Sequence, residues 1–241
     1  MVTIQEAQRG GTESAKSRIQ RTLRQSPMFE RASRSTRDAV IEAATVEVLP
    51  GETRIIEQDA TASTLVVLGR GRARIERATT EGRTVPLGYR GSGDVLGESC
   101  LGKSRKHTES ASAMEEAEVV RIPLDLVLQL MTTDAALGAS VVTLLLDRQR
   151  QVEDRIESML FRNVEGRLIE FLLQAADRWG VPTPRGALIS APITHLEIAQ
   201  SIGSTRETVT LTLGALRREG LLDVAGRRLI VRDRDALAAR M

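Results

Sequence analysis

Residues 193–231 read ITHLEIAQSIGSTRETVTLTLGALRREGLLDVAGRRLIV. Thr194 followed by Glu197 is a capping box that opens a helix. Gly203 supplies a turn residue tolerant of positive φ. Ser204 followed by Glu207 fits a second box, opening a second helix. In that helix Val209, Leu213 and Leu216 recur at helical spacing and face a core. Arg206, Glu207, Thr210 and Leu211 fall on the opposite face. The stretch GLLDVAGRRLIV then gives two apolar strands around an Ala225-Gly226 turn. Helix, turn, helix and hairpin make a winged helix-turn-helix, which places one helix in the DNA major groove.

Upstream the texture changes twice. From Val46 to about Ile122 short strands alternate with turn signals at Pro50-Gly51, Gly69, Gly71, Gly82 and Gly91 to Gly93. That texture argues a β-sandwich or barrel-like roll. From about Leu124 it turns helical. TTDAALGASVVTLLLDRQRQVEDRIESMLF has no internal proline, and Thr133 is its expected cap. Val141, Leu145, Val152, Ile156 and Met159 form a spaced apolar stripe, interrupted by Arg148. Such a stripe lines a two-helix seam or the buried face of an ordinary amphipathic helix. The length favours the seam, because a long helix needs something to bury against. A new helix follows a boundary near Arg162-Asn163. Val181 to Pro184 reads as a loop, and ALISAPI as a strand entering the C-terminal motif.

The fold expected is α+β. Residues 1–25 form a flexible arm with some helix from Lys16. Residues 26–132 form a jelly-roll-like β-roll sensor domain. Residues 133–161 form a dimerisation helix, and 162–241 the winged helix-turn-helix.

Composition narrows the chemistry. The 241 residues carry 34 basic and 32 acidic groups, so overall charge does not by itself point to a polyanion. From Phe161 onward there are 12 arginines, no lysine and nine acidic residues, a local excess that suits phosphate contact. Cys100 is the only cysteine and is read as a small buried hydrophobe. His107 and His195 are the only histidines. One cysteine and two histidines exclude an intrachain disulfide, a multi-cysteine cluster and a multi-histidine metal site. There is no nucleophile–His–acid set and no phosphate-cradling loop, so an enzyme is not expected. No run of about 20 apolar residues and no secretory leader is visible, so a cytoplasmic protein without membrane contact is expected.

Three stretches carry a resemblance: IGSTRETVTLTLGALRREGLL, GSGDVLGES and FRNVEGRLIEFLL. Together they make the chain resemble the Crp/Fnr family of bacterial transcription regulators over roughly residues 26 to 237. The resemblance implies a homodimer on double-stranded DNA, with RNA polymerase as a further partner. Two recognition helices would enter successive major grooves of a near-palindromic site, half-site centres about 34 Å apart. The matching readers are Arg206 and Glu207, with Thr205, Thr210 and Leu211 beside them. Arginine bonds guanine O6 and N7 bidentately, and glutamate accepts from cytosine N4. The competing reading is an Arg206–Glu207 surface pair. Many relatives carry a second arginine where this chain has Leu211, so the preferred half-site is expected to differ. Thr194, Ser204 and Thr208 are phosphate contacts or caps, with caps favoured for the first two.

The resemblance also locates a ligand site. Members that bind cyclic nucleotides grip ribose and phosphate with a Gly-Glu pair and a following Arg-Ser or Arg-Thr. Here Gly97-Glu98 is present, but His107 stands for the arginine, followed by Thr108. A neutral imidazole is a poor substitute for a guanidinium fork. Lys106 or Arg105 would compensate only if the loop shifted. The adenine-binding hydroxyls of cAMP sensors would fall near Val152 and Glu153, and neither carries a hydroxyl. No cofactor is expected, and cAMP is not the expected effector. Open alternatives are a nucleotide-independent regulator, a sensor of another anion such as a cyclic dinucleotide, or control by modification or protein contact. Arg70, Arg72, Arg74, Arg77, Arg83 and Arg90 would serve a larger anion, or are the solvated faces of strands.

Overall fold

The computed structural model describes residues 13–82, 84–190 and 193–241. Contacts divide the chain into two units. One contains residues up to 78 together with 89–145, and the other 79–88 together with 146–241. This differs from the division expected from sequence: the long helix is shared between units, and the segment 79–88 groups with the C-terminal one.

The first unit opens with three helices, α1 (Ala15–Gln25), α2 (Pro27–Glu30) and α3 (Arg34–Ala43). Residues 1–12 of the expected arm lie outside the described residues. From Ala15 the arm is instead a docked helix, with Ile19 and Leu23 buried. The reason is a polar anchor as well as an apolar one. Glu118 is only 6% exposed in its side chain and accepts from Arg18 Nε and Arg21 Nη2, both at 2.7 Å. A buried carboxylate needs such partners.

The strands β1 (Thr45–Leu49), β2 (Arg54–Ile56), β3 (Thr64–Arg70), β4 (Ala73–Ala78), β5 (Thr84–Arg90), β6 (Val95–Leu96), β7 (Ser110–Ala113) and β8 (Ala117–Pro123) follow. They form two sheets, ordered β1-β8-β3-β6 and β2-β7-β4-β5. β3 is buried on both faces, which its unbroken apolar run Leu65-Val66-Val67-Leu68 requires. Leu65 and Val67 meet Ile19, Leu23, Phe29, Val120 and Ile122 in one apolar cluster, and Val66 and Leu68 are buried on the other side.

Helices α4 (Leu124–Thr133) and α5 (Ala135–Phe161) are bent by 113° at Asp134. Thr133 therefore ends α4 rather than capping α5. Asp134 does the capping: its Oδ1 accepts from Ala136 N at 3.0 Å and Leu137 N at 3.2 Å. Among the described residues no single helix is long and apolar enough to cross a membrane.

The second unit holds α6 (Val164–Trp179), β9 (Gly180–Thr183), β10 (Gly186–Ile189), α7 (His195–Ile202), α8 (Arg206–Arg218), β11 (Leu222–Ala225), β12 (Arg228–Val231) and α9 (Arg234–Ala238). Its sheet is ordered β11-β12-β10-β9. The expected loop at Val181 to Pro184 is thus mostly strand. Pro182 is tolerated because β9 is an edge strand, where its missing N–H breaks no internal ladder. Ala225 pairs with Arg228, so the wing turn is Gly226-Arg227, one residue later than the sequence suggests.

Candidate nucleic-acid interface

The helix-turn-helix is built by caps. Thr194 Oγ1 accepts from Glu197 N at 3.2 Å, and Thr194 N donates to Glu197 Oε2 at 2.8 Å. The expected capping box of α7 is formed, and it occupies the Thr194 hydroxyl. At the other end Gly203 adopts φ 64°, a left-handed conformation that costs glycine nothing. Ser204 N then donates to Ala199 O at 2.9 Å and closes α7. This backbone bond draws Ser204 into the end of α7, so α8 starts one residue later than expected. Its cap is Thr205, whose Oγ1 accepts from Thr208 N at 3.2 Å. The second box proposed on Ser204 does not form.

Two arginines hold the carbonyl end of α7. Arg167 Nε donates to Ile202 O at 2.8 Å, and Arg155 Nη2 donates to Ser201 O at 2.8 Å. Cations at a helix C-terminus satisfy carbonyls that lack intrahelical partners. They fix α7, and α7 fixes α8.

α8 buries Val209, Leu213 and Leu216. Arg206, Glu207, Thr210 and Leu211 all lie exposed on its outer surface, with Leu211 at 74%. Arg206 and Glu207 do not form the surface pair that competed with base reading; among the described residues neither takes part in an ion pair. Thr210 is different. Its Oγ1 donates to Arg206 O at 2.8 Å and lies 2.8 Å from His195 Nδ1. Sequence reasoning did not single out His195, which follows the cap Thr194 directly. It also passed over Arg227 and Arg228, both exposed at the wing turn. Their signal was present as two basic residues beside a hairpin glycine.

The stripe on α5 is partly revised. Leu145, Val152, Ile156 and Met159 are exposed, at 44–58%. Val141 is not available to a seam: it is 2% exposed and packs with Leu137 in the core of the first unit. Val142, Leu146 and Leu160 are exposed instead.

In the roll the structure brings Gly97 and His107 together. Gly97 has φ 71° and leads into the 3-10 turn Glu98–Leu101. A Cβ there would lie 2.5 Å from His107 Nδ1. His107 is buried, and its Nδ1 has no hydrogen-bond partner among the described residues. Burial, and then the Arg121 charge, push its imidazole below the usual range, towards the neutral form. Thr108 is exposed, with its hydroxyl 3.2 Å from Glu109 Oε2. Burial and the nearby Glu98 charge push the Glu109 carboxyl up.

The arginine row is matched by acids. Arg72 lies 2.8 Å from Glu115, Arg74 3.4 Å from Glu76, Arg77 3.9 Å from Glu109, Arg90 4.0 Å from Glu98 and Arg70 3.9 Å from Glu13. Arg83 lies outside the described residues. Burial raises the Cys100 thiol to about 11, which suits a packed, unreactive side chain.

Residues 166–240 match the family model of the Crp-like helix-turn-helix domain, and residues 46–134 that of the cyclic nucleotide-binding domain. The chain belongs to the Crp/Fnr family of transcription regulators. It is 27% identical over 176 residues to the CRP-like cAMP-activated global transcriptional regulator of Mycobacterium tuberculosis, covering 73% of this chain and 79% of that one. It is 29% identical over 171 residues to the global nitrogen regulator of a Synechocystis strain, covering 70% and 76%. The solved structure of FixK2 from Bradyrhizobium japonicum superposes with a TM-score of 0.72 at 23% identity, covering 82% and 96%, and so shares the fold. As a Crp/Fnr regulator the chain is a DNA-binding helix-turn-helix protein and not an enzyme.

Proposed function

We propose that this Crp/Fnr regulator binds a near-palindromic operator as a homodimer and does so without cAMP. The observation that carries the reading is the unpaired Arg206–Glu207 couple, exposed beside Leu211 on α8 and backed by Val209, Leu213 and Leu216. A guanidinium fork and an adjacent carboxylate are the two groups that discriminate the base pairs of G and C in the major groove. The exposed apolar residues of α5 supply the surface for a second copy. His107 in place of the phosphate arginine, with its imidazole pushed below the usual range by burial, favours independence from cAMP. The carboxylates facing the arginine row count against another anionic effector there.

The test is selection of bound sites from random DNA by purified, nucleotide-free protein. An inverted repeat with half-sites about one helical turn apart is expected. Affinity for that site is expected to stay unchanged in millimolar cAMP, and calorimetry to show no stoichiometric binding. A sequence with no symmetry would overturn the dimer reading. A micromolar isotherm coupled to tighter DNA binding would overturn cAMP independence.

A further inference from the structure

We infer that His195 is a DNA-phosphate contact of the recognition unit, held in one tautomer by Thr210 and active as the imidazolium. The inference rests on the DNA-binding reading above and adds a residue and a pH dependence to it.

Thr210 has a single hydroxyl hydrogen. Its Oγ1 lies 2.8 Å from Arg206 O, a carbonyl that can only accept, so the hydroxyl must donate there. The same oxygen lies 2.8 Å from His195 Nδ1. With its proton committed, Thr210 can only accept from the ring. Were it to donate to Nδ1 instead, two lone pairs would face each other at 2.8 Å across the Arg206 contact. Nδ1 therefore carries a hydrogen in both charge states of the ring.

The consequence falls on Nε2. It has no partner among the described residues and is not among the buried unpaired atoms. In the neutral ring Nε2 is an acceptor and has nothing to offer a phosphate. In the imidazolium it becomes a charged donor, while the bond to Thr210 stays intact. Thr210 lies on the exposed face of α8 with Arg206, Glu207 and Leu211, so the ring is at the edge of the surface that would meet DNA. In helix-turn-helix docking the first helix crosses the backbone while the second enters the groove. His195 is on the first. The neighbouring Thr194 hydroxyl is occupied by Glu197 and cannot serve in its place.

Of the helices packed against α7, α8 carries Arg206, Glu207, Arg217 and Arg218, and α6 carries Glu165, Arg167, Glu170, Asp177 and Arg178. On α7 itself the charged group is Glu197, engaged by Thr194. On α6, Arg167 is spent on the carbonyls of Ile202 and Arg162, and Glu170 lies against Ser158 and 3.5 Å from Arg162. The charged ring is the phosphate-binding form, so the contact should strengthen as pH falls.

The experiment uses the full chain and two labelled duplexes, the site selected from random DNA and a duplex of unrelated sequence. Affinity is titrated against salt at about pH 8 and about pH 6. For the wild type we expect binding to both duplexes to tighten by about tenfold at the lower pH. The salt slope should rise by about one for each protomer. His195→Gln, which cannot be charged, should remove both effects on both duplexes while preserving the helical circular dichroism. His195→Arg should bind tightly at both pH values. Nitrogen NMR of the free protein should show Nδ1 protonated at about pH 8, and Thr210→Val should release that preference. A His195→Gln profile parallel to the wild type overturns the inference and leaves DNA binding untouched. A wild type that binds neither duplex at any pH overturns the DNA-binding reading itself.

Discussion

At the scale of single residues, the two groups that matter are those the fold leaves unpaired and those it neutralises. Arg206 is of the first kind. If it pairs with a guanine, Arg206→Ala should weaken operator binding by about 1–3 kcal/mol per half-site and relax preference at one base pair. A matrix of single-base operator variants checks this. An equal loss on every variant would make Arg206 a phosphate contact. Leu211 lies one helical turn beyond Glu207. Leu211→Arg should therefore shift preference towards a further guanine in the same matrix. His107 is of the second kind. Burial holds its imidazole below the usual range, so the folded chain binds fewer protons than the unfolded one as pH drops below about 6.5. Its stabilising contribution is present above that value and is lost as pH falls through the folded value. His107→Gln should flatten that part of the stability profile in denaturant titrations.

At the scale of elements, caps and seams decide. Thr205 and Ser204 are neighbours of the same chemistry, yet only Thr205 accepts from the first turn of α8. Thr205→Ala should cost about 1 kcal/mol of stability, and Ser204→Ala much less. Urea unfolding of the two variants separates them, and equal losses would restore the cap to Ser204. On α5 the exposed apolar positions Val142, Leu145, Val152, Ile156 and Met159 follow at steps of three, seven, four and three residues, with Gln149 filling the one gap, as a two-helix seam requires. Gln149 lies among them and donates from Nε2 to Glu153 Oε1 at 2.7 Å. Leu145→Glu combined with Ile156→Glu should give monomers that bind the selected operator poorly. Light scattering that still shows a dimer would place the interface elsewhere.

At the scale of the whole molecule, buried polar ties anchor separate elements of the first unit to one another. Asp134 accepts from Ser33 N at 2.8 Å and caps α5, so it joins the start of α3 to the bend between α4 and α5. Hydrogen bonds from Thr36 and Ser33 hold its carboxyl well below the usual range. Stability from Asp134 is present above the ordinary carboxylate range near 3.9 and is lost as pH falls through the folded value. Asp134→Asn should lower the melting temperature at neutral pH and reduce its fall in acid. Glu118 ties α1 to β8 in the same way. Replacing both Arg18 and Arg21 by alanine leaves that carboxylate buried and unpaired. About 3 kcal/mol of stability should be lost in chemical denaturation.

Local chemistry made the winged helix legible in advance. Thr194, Glu197 and Gly203 act within a few residues of themselves, and the apolar positions of α8 recur at the helical period. The textures of the roll and of the long helix are likewise local patterns, readable without contacts. Other features depended on groups far apart in the chain. Val141 reads as a seam residue until Leu137 and the roll bury it. The arm reads as flexible until Glu118, about a hundred residues away, pairs with Arg18 and Arg21. Ser204 fits a capping box until a backbone bond to Ala199 claims it. His195 gains a role only when α7 packs on α8 and brings Nδ1 to Thr210. The sequence by itself determined most of the helices, strands and turns, because propensity, caps and periodicity are short-range; β9 and the docked α1 are the exceptions. Only the tertiary structure decided which side chains are spent inside the fold and which remain for a partner, because burial and hydrogen-bond satisfaction depend on distant neighbours.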